Sequence, residues 1–149
     1  MPLFSARLDY ALRAVIDLAL HDTRQSCQSR EIAARQDIRG PYLDQILSAL
    51  KREGIVRSIR GAGGGYRLAR HPSKITVGDV VRAVVGESLL IGPASPEPRP
   101  EDTSAAFVVR RFALRLDSEL AQNLDGVTLG EMVAQKQRLD DSLSIMPGI

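Results

Sequence analysis

Residues Arg60-Gly61-Ala62-Gly63-Gly64-Gly65-Tyr66-Arg67 put four glycines and two arginines into eight positions, between Ile55-Val56-Arg57-Ser58-Ile59 and Tyr66-Arg67-Leu68-Ala69. Two β-type segments joined by glycine turn back on one another, so the run predicts a glycine-tipped hairpin. Glycine also serves where backbone must approach a ligand, and the arginines make that ligand an anion. A nucleotide cradle does not fit. No Gly-Lys-Ser/Thr closes the run, Tyr66 stands where a dinucleotide fingerprint needs glycine, and a strand follows where a helix is required. Flanked by Arg57, Arg60, Arg67 and Arg70, the hairpin fits a nucleic-acid backbone or minor groove; a surface hairpin without a ligand is the alternative.

What precedes the hairpin sharpens this. Phe4, Leu8, Ala11, Leu12, Val15, Leu18 and Ala19 recur at helical spacing, predicting a helix over 3–21 with Ser5 near its start and its arginines and aspartates largely off the apolar stripe. Asp22-Thr23-Arg24-Gln25-Ser26 reads as a polar connection, and 29–36 as a short helix with Ser29 as N-cap. Asp37-Ile38-Arg39-Gly40 breaks the chain, and Pro41 opens a third helix to about Glu53. That helix buries Leu43, Ile46, Leu47 and Leu50 and leaves Tyr42, Gln45, Ser48 and Arg52 on the other side. Short helix, turn, longer helix and hairpin is the order of a winged helix-turn-helix. In that geometry Tyr42 and Gln45 meet base edges, and Arg39 and Arg52 meet phosphates. Asp44 either accepts from a cytosine amino group or complements the helix dipole.

Charge divides along the same line. Residues 1–82 hold 14 Lys/Arg against 8 Asp/Glu, whereas residues 83–149 hold 6 against 10. The first part suits a polyanion; the second suits something else. The chain contains no 18-residue apolar run and no secretory-signal pattern, and its single cysteine, Cys27, excludes an internal disulfide. A cytoplasmic protein with no membrane partner is expected. His21 and His71 are far apart in sequence and have no acidic or thiol companions in a recognisable spacing, so neither a metal site nor an enzyme is expected.

In the second part, Thr76-Val77-Gly78-Asp79 resembles a capping box opening a helix to about Val85, closed by Gly86. Residues 87–104, with Pro93, Pro96, Pro98 and Pro100 among acidic residues, read as a long extended loop. Val109, Phe112, Ala113, Leu116, Leu120 and Leu124 stripe a helix over 105–124, about 30 Å long, for which self-association is the expected use and packing onto its own domain the alternative. Thr128-Leu129-Gly130-Glu131 caps a last helix to about Leu139, and 140–149 reads as a flexible tail. The expected architecture is thus mainly α with a small β-hairpin: a winged helix-turn-helix over 1–86, the loop, a dimerisation helix and final helix over 105–139, and the tail.

These segments resemble the winged-helix repressors of the IscR, NsrR and CymR type, the Rrf-type regulators. The resemblance is carried by Asp9-Tyr10-Ala11-Leu12-Arg13-Ala14-Val15-Ile16-Asp17-Leu18-Ala19-Leu20, Glu31-Ile32-Ala33-Ala34-Arg35-Gln36, Pro41-Tyr42-Leu43-Asp44-Gln45-Ile46-Leu47, residues 56–66 and residues 75–84. It covers 5–86 well and the remainder by architecture. It implies a homodimeric bacterial transcription factor on a palindromic operator. Its DNA-facing residues would be Arg39, Pro41, Tyr42, Asp44 and Gln45, with Arg60, Gly61 and Ala62 in the wing. Asp37 and Pro41 depart from residues frequent in that family. So does the loop 87–104, which lacks the three cysteines that cluster-binding members supply there; no cofactor is therefore expected. Cys27 is either a small apolar filler or a redox switch. The expected function is DNA-binding transcriptional regulation with an effector, protein or small molecule, that the residues do not name. An interaction adaptor that has lost DNA binding is the alternative.

Overall fold

A computed structural model describes residues 3–21, 26–87 and 97–145. Residues 22–25 of the polar connection, residues 88–96 of the proline-rich loop and the last four residues lie outside the described residues. The helices are α1 (Ala6–His21), α2 (Ser29–Gln36), α3 (Gly40–Arg52), α4 (Val77–Val84), α5 (Ser104–Asp125) and α6 (Leu129–Ile145); the strands are β1 (Val56–Ile59) and β2 (Gly65–Leu68). The fold is mainly helical with one antiparallel hairpin, as the residue pattern predicts. The last helix runs to Ile145, through residues assigned above to a tail.

One core organises the N-terminal part. Leu8, Leu12, Val15 and Leu18 of α1, Ile32 of α2, Leu43, Ile46, Leu47 and Leu50 of α3, and Val80, Val81 and Val84 of α4 are buried together with Ile55, Val56, Leu68 and Ile75. The predicted stripes of α1 and α3 are therefore the buried ones, except that Phe4 precedes α1, which begins at Ala6, and is 63% exposed, and Ala19 is only partly buried. Leu129 of α6 joins the same cluster, and Leu124, Met132 and Val133 pack against it.

Local chemistry explains the boundaries. α2 is capped by Gln28: its backbone N–H donates to Glu31 Oε1 at 3.1 Å, completing a capping box, so the cap lies one residue before the expected Ser29. Asp37 then adopts the left-handed conformation (φ 52°, ψ 52°) and turns the chain toward α3. At α4 the expected box forms: the Asp79 N–H donates to Thr76 Oγ1 at 3.0 Å, and the Thr76 N–H donates to Asp79 Oδ2 at 2.9 Å.

Asp17 departs from the reading of α1. It is 1% exposed, inside the apolar face. Arg35 at the end of α2 forks onto it, Nη2 donating to Oδ1 at 2.7 Å and Nε to Oδ2 at 3.0 Å, and Gln36 Nε2 donates to Oδ2 at 3.0 Å. A buried carboxylate is tolerable only when its lone pairs are filled in this way. Burial opposes ionisation of Asp17, yet the hydrogen bonds from Arg35 and Gln36 and the charges of Arg35 and His21 outweigh it, holding the carboxyl below its ordinary range. Because the folded pKa is depressed, this contribution is complete above the unfolded value near 3.8 and is lost as pH falls through the folded value. We expect Asp17→Asn to cost about 3 kcal/mol at pH 7, since it breaks a buried pair from one side. The deficit relative to wild type should shrink in acid, as urea unfolding at pH 7 and at pH 3 would report.

Candidate nucleic-acid interface

The turn of residues 37–39 presents α3 at the surface. Pro41, Asp44, Gln45, Ser48, Lys51 and Arg52 are exposed at helical spacing, while Leu43, Ile46, Leu47, Ala49 and Leu50 are sealed in the core. Pro41 sits in the first turn, where its missing N–H costs nothing, and Arg39 precedes the helix with extended backbone (φ −63°, ψ 131°). The Arg39 side chain makes no capping hydrogen bond to that end.

Tyr42 differs from expectation. It is half-buried and packs against the core rather than standing free on the outer face. Its ring meets Tyr10 of α1 edge-on, centroids 5.5 Å apart and planes at 83°. The reason is geometric: position 42 directly precedes the buried Leu43 and borders the inward stripe, so the ring turns toward α1. Of the residues expected to meet base edges, Gln45 and Asp44 are therefore fully outward and Tyr42 is flank-on.

The hairpin pairs Val56 with Leu68, Arg57 with Arg67, Ser58 with Tyr66 and Ile59 with Gly65. Arg60, Gly61 and Ala62 stand exposed at its tip, where the Gly64 N–H donates to the Gly61 carbonyl at 2.9 Å and closes the turn. β2 is flanked on its other side by a single bridge: the Cys27 N–H donates to the Tyr66 carbonyl at 2.9 Å, and the Tyr66 N–H returns to the Cys27 carbonyl at 2.7 Å. Ser26 Oγ also donates to the Gly63 carbonyl. The loop before α2 thus clamps the wing, a contact that residue pattern alone did not reveal because a one-residue bridge has no periodicity.

This clamp changes the meaning of the glycines. A Cβ at Gly65 (φ 154°) would collide with the Cys27 carbonyl, and one at Gly64 with the Ile59 and Gly61 carbonyls. Those two positions are glycine because the protein's own backbone comes close. Gly61 (φ 110°) needs its freedom for the turn, and Gly63 faces open space.

The arginines separate into two sets. Arg35, Arg70 and Arg82 make ion pairs that join elements, Arg70 reaching Asp79 at 3.7 Å and Arg82 reaching both Asp79 and Asp125 at 2.9 Å, while Arg13 pairs with Asp9 within α1. Arg39, Arg52, Arg57 and Arg60 are exposed and make no ion pair among the described residues. Arg67 is half-buried and has an interaction within the molecule. The turn, α3 and the wing thus hold four such exposed arginines close together in sequence, and Arg30, Arg111 and Arg138 are exposed elsewhere.

On α5 no residue is buried. Val109 (64% exposed), Phe112 (50%) and Leu116 lie open, joined by Phe107 and Val108, which the stripe did not include. Ala113 and Leu120 are half-exposed, and Leu124 packs on the core. The stripe therefore belongs to two surfaces, its C-terminal end anchoring the helix to its own domain. Arg111 and Arg115 lie over the Phe107 and Phe112 rings at 5.9 and 5.3 Å.

Cys27 is buried, and burial pushes its thiol up from the ordinary value, Arg35 only partly opposing that. Among the described residues no three His, Cys, Asp or Glu converge as metal ligands, and no helix is long and apolar enough to cross a membrane.

A family model described as "Rrf2: Iron-dependent Transcriptional regulator" matches residues 4–135. The HTH-type transcriptional regulator IscR of Vibrio atlanticus is 35% identical over 134 residues, covering 89% of this chain and 76% of that one. Among solved structures, T. potens IscR superposes with a TM-score of 0.71 at 32% identity, over 89% of this chain and 86% of that one. CymR, the global cysteine regulator of B. subtilis, superposes with a TM-score of 0.69 at 32% identity, over 89% and 96%. The iron in the family description does not fit the residues present. A cluster held by three thiolates needs three cysteines, and the chain has one, buried between α1 and the wing clamp with a disfavoured thiolate.

The wing geometry gives a direct test. Gly65→Ala should destabilise the protein by about 2 kcal/mol or more through collision with the Cys27 backbone. Gly63→Ala, facing open space, should stay within about 0.5 kcal/mol of wild type. Denaturant midpoints of the two variants check this.

Proposed function

The chain belongs to the Rrf2 family of transcriptional regulators, and from that premise we propose that it binds double-stranded DNA as a homodimer and represses from a palindromic operator. The observation that carries the reading is the outer face of α3, polar and open at Pro41, Asp44, Gln45, Ser48 and Arg52 while its inner face is sealed. A helix held in this way offers its N-terminal half to a major groove. There Gln45 has the donor and acceptor that an adenine edge requires, and Asp44 accepts from a cytosine amino group. Arg39, Arg52 and Arg60 hold phosphates, and Gly61 and Ala62 bring the wing tip against backbone or minor groove. Tyr42 contributes through its outer edge, and Arg67 supports the wing.

Dimerisation rests on α5, where Val109, Phe112 and Leu116 are open and flanked by Phe107 and Val108. Apolar surface of this kind on a 22-residue helix is stabilised by a like helix. A two-fold axis would set two recognition helices against half-sites about one DNA turn apart. The protein acts in the cytoplasm without an iron–sulfur cluster, and its signal is a protein or small molecule. A buried thiol with a raised pKa argues against Cys27 as sensor.

A gel-shift series with duplexes selected from a random pool tests the reading. Affinity should fall steeply as salt rises, and absence of any duplex binding at low salt would sink it. Arg60→Ala should weaken all sequences alike and flatten the salt slope, whereas Gln45→Ala should relax preference at one base pair, a change of about 1–3 kcal/mol there. In sedimentation, Phe112→Asp should convert a dimer to a monomer.

A further inference from the structure

α1 carries a patch that the DNA-binding reading does not use. Tyr10 presents its ring to Tyr42 in an edge-on pair at 5.5 Å. The Arg13 guanidinium lies over that same Tyr10 ring, 4.8 Å from its centroid. Arg13 Nη1 also donates to the Gln36 carbonyl, the last residue of α2, at 3.2 Å, and its Nε lies 3.4 Å from Asp9. Gln36 is in turn held by its side chain on buried Asp17. One short stretch of α1 therefore grips both sides of the helix-turn-helix bend: the end of α2 at residue 36 and the first turn of α3 at residue 42.

At the bend Ile38 is buried in the core and its N–H donates to the Ala33 carbonyl at 3.0 Å, while the residues on either side of it stand open. Asp37 is in the left-handed conformation, and Arg39 is extended and exposed and does not cap α3 with its side chain. The direction in which α3 leaves the turn decides where Gln45 and Asp44 meet base edges, and base-edge hydrogen bonds tolerate little displacement. Phosphate contacts from flexible arginines tolerate much more.

We propose that Tyr10 and Arg13 are positioning residues for sequence recognition: through the Tyr42 ring and the Gln36 carbonyl they set the pose of the recognition helix without touching a base. The proposal rests on the DNA-binding reading above. It separates two quantities, because loss of the patch leaves every exposed arginine in place. Discrimination between sequences falls; general attraction to DNA does not.

The test uses the full chain, a duplex enriched by the wild-type protein from a random-sequence pool, and a scrambled duplex of the same composition. Tyr10→Phe keeps the ring and should keep the wild-type affinity ratio between the two duplexes. Tyr10→Leu and Arg13→Gln should lower that ratio tenfold or more, with affinity for the scrambled duplex and the salt slope changed less than twofold. A folded Tyr10→Leu, verified by its melting transition, that keeps the wild-type ratio overturns the proposal and leaves the patch merely structural. Equal weakening on both duplexes with a flatter salt slope for Arg13→Gln also overturns it, making Arg13 a phosphate ligand. Should Tyr10→Leu not fold, Arg13→Lys carries the same outcomes, since it keeps the charge but not the flat group that spans ring and carbonyl. No enrichment by the wild-type protein would overturn the DNA-binding reading itself, and is distinguishable before any variant is made.

Discussion

The carboxylate of Asp17 is the constraint on which the N-terminal half depends. α2 is only eight residues long and buries a single large side chain, Ile32, so burial alone holds it weakly against α1. The fork from Arg35 and the amide of Gln36 supply direction as well as attraction, since a planar guanidinium meets a carboxylate in one orientation. A buried ion pair adds little net stability compared with apolar packing, but it penalises every arrangement that leaves the carboxylate unpaired. Orientation matters here because α2 leads through the three-residue bend 37–39 into α3. Whatever fixes the end of α2 fixes the start of the helix whose outer face is open.

Much of this molecule was legible in its residues, and the misses share one cause. The stripes of α1 and α3, the hairpin, the capping box of α4 and the two late helices all follow from periodicities or short motifs within a single segment. Asp17, Tyr42, Cys27 and Leu124 owe their roles to another segment: Arg35 for the first, Tyr10 for the second, Tyr66 for the third and the N-terminal core for the fourth. One signal was available. Asp17 lies one position before buried Leu18 and three after buried Ala14, inside a stripe that has no room for an unpaired charge. Its partner could not be named, because several arginines follow and sequence spacing does not choose among them.

The glycine run shows how one composition can have several causes. Read alone, four glycines beside arginine point to backbone approaching a ligand. In the fold, Gly64 and Gly65 are compelled by carbonyls of Ile59, Gly61 and Cys27, and Gly61 by its left-handed backbone. The exposed tip is therefore Arg60 to Gly63, while the remainder of the run joins the wing to the loop before α2. A stiff wing root and an open tip are what a strand pair needs to present one arginine at a defined place.

The two halves of the chain are joined through α4 and the turn between α5 and α6. The Val77 N–H donates to the Val127 carbonyl at 2.8 Å and the Leu129 N–H to the Ile75 carbonyl at 2.7 Å, while Arg82 bridges Asp79 and Asp125. Gly78 accepts the Asp125 side chain at a distance no Cβ would permit. α4 is thus fastened to the turn between α5 and α6 by backbone, by charge and by close approach, and its other face lies in the core with α1 and α3. A chain of direct contacts runs from α5 through this junction and α4 to α3. That continuous packing joins the second half of the chain to the N-terminal core without a metal centre, the chain having one cysteine, which is buried.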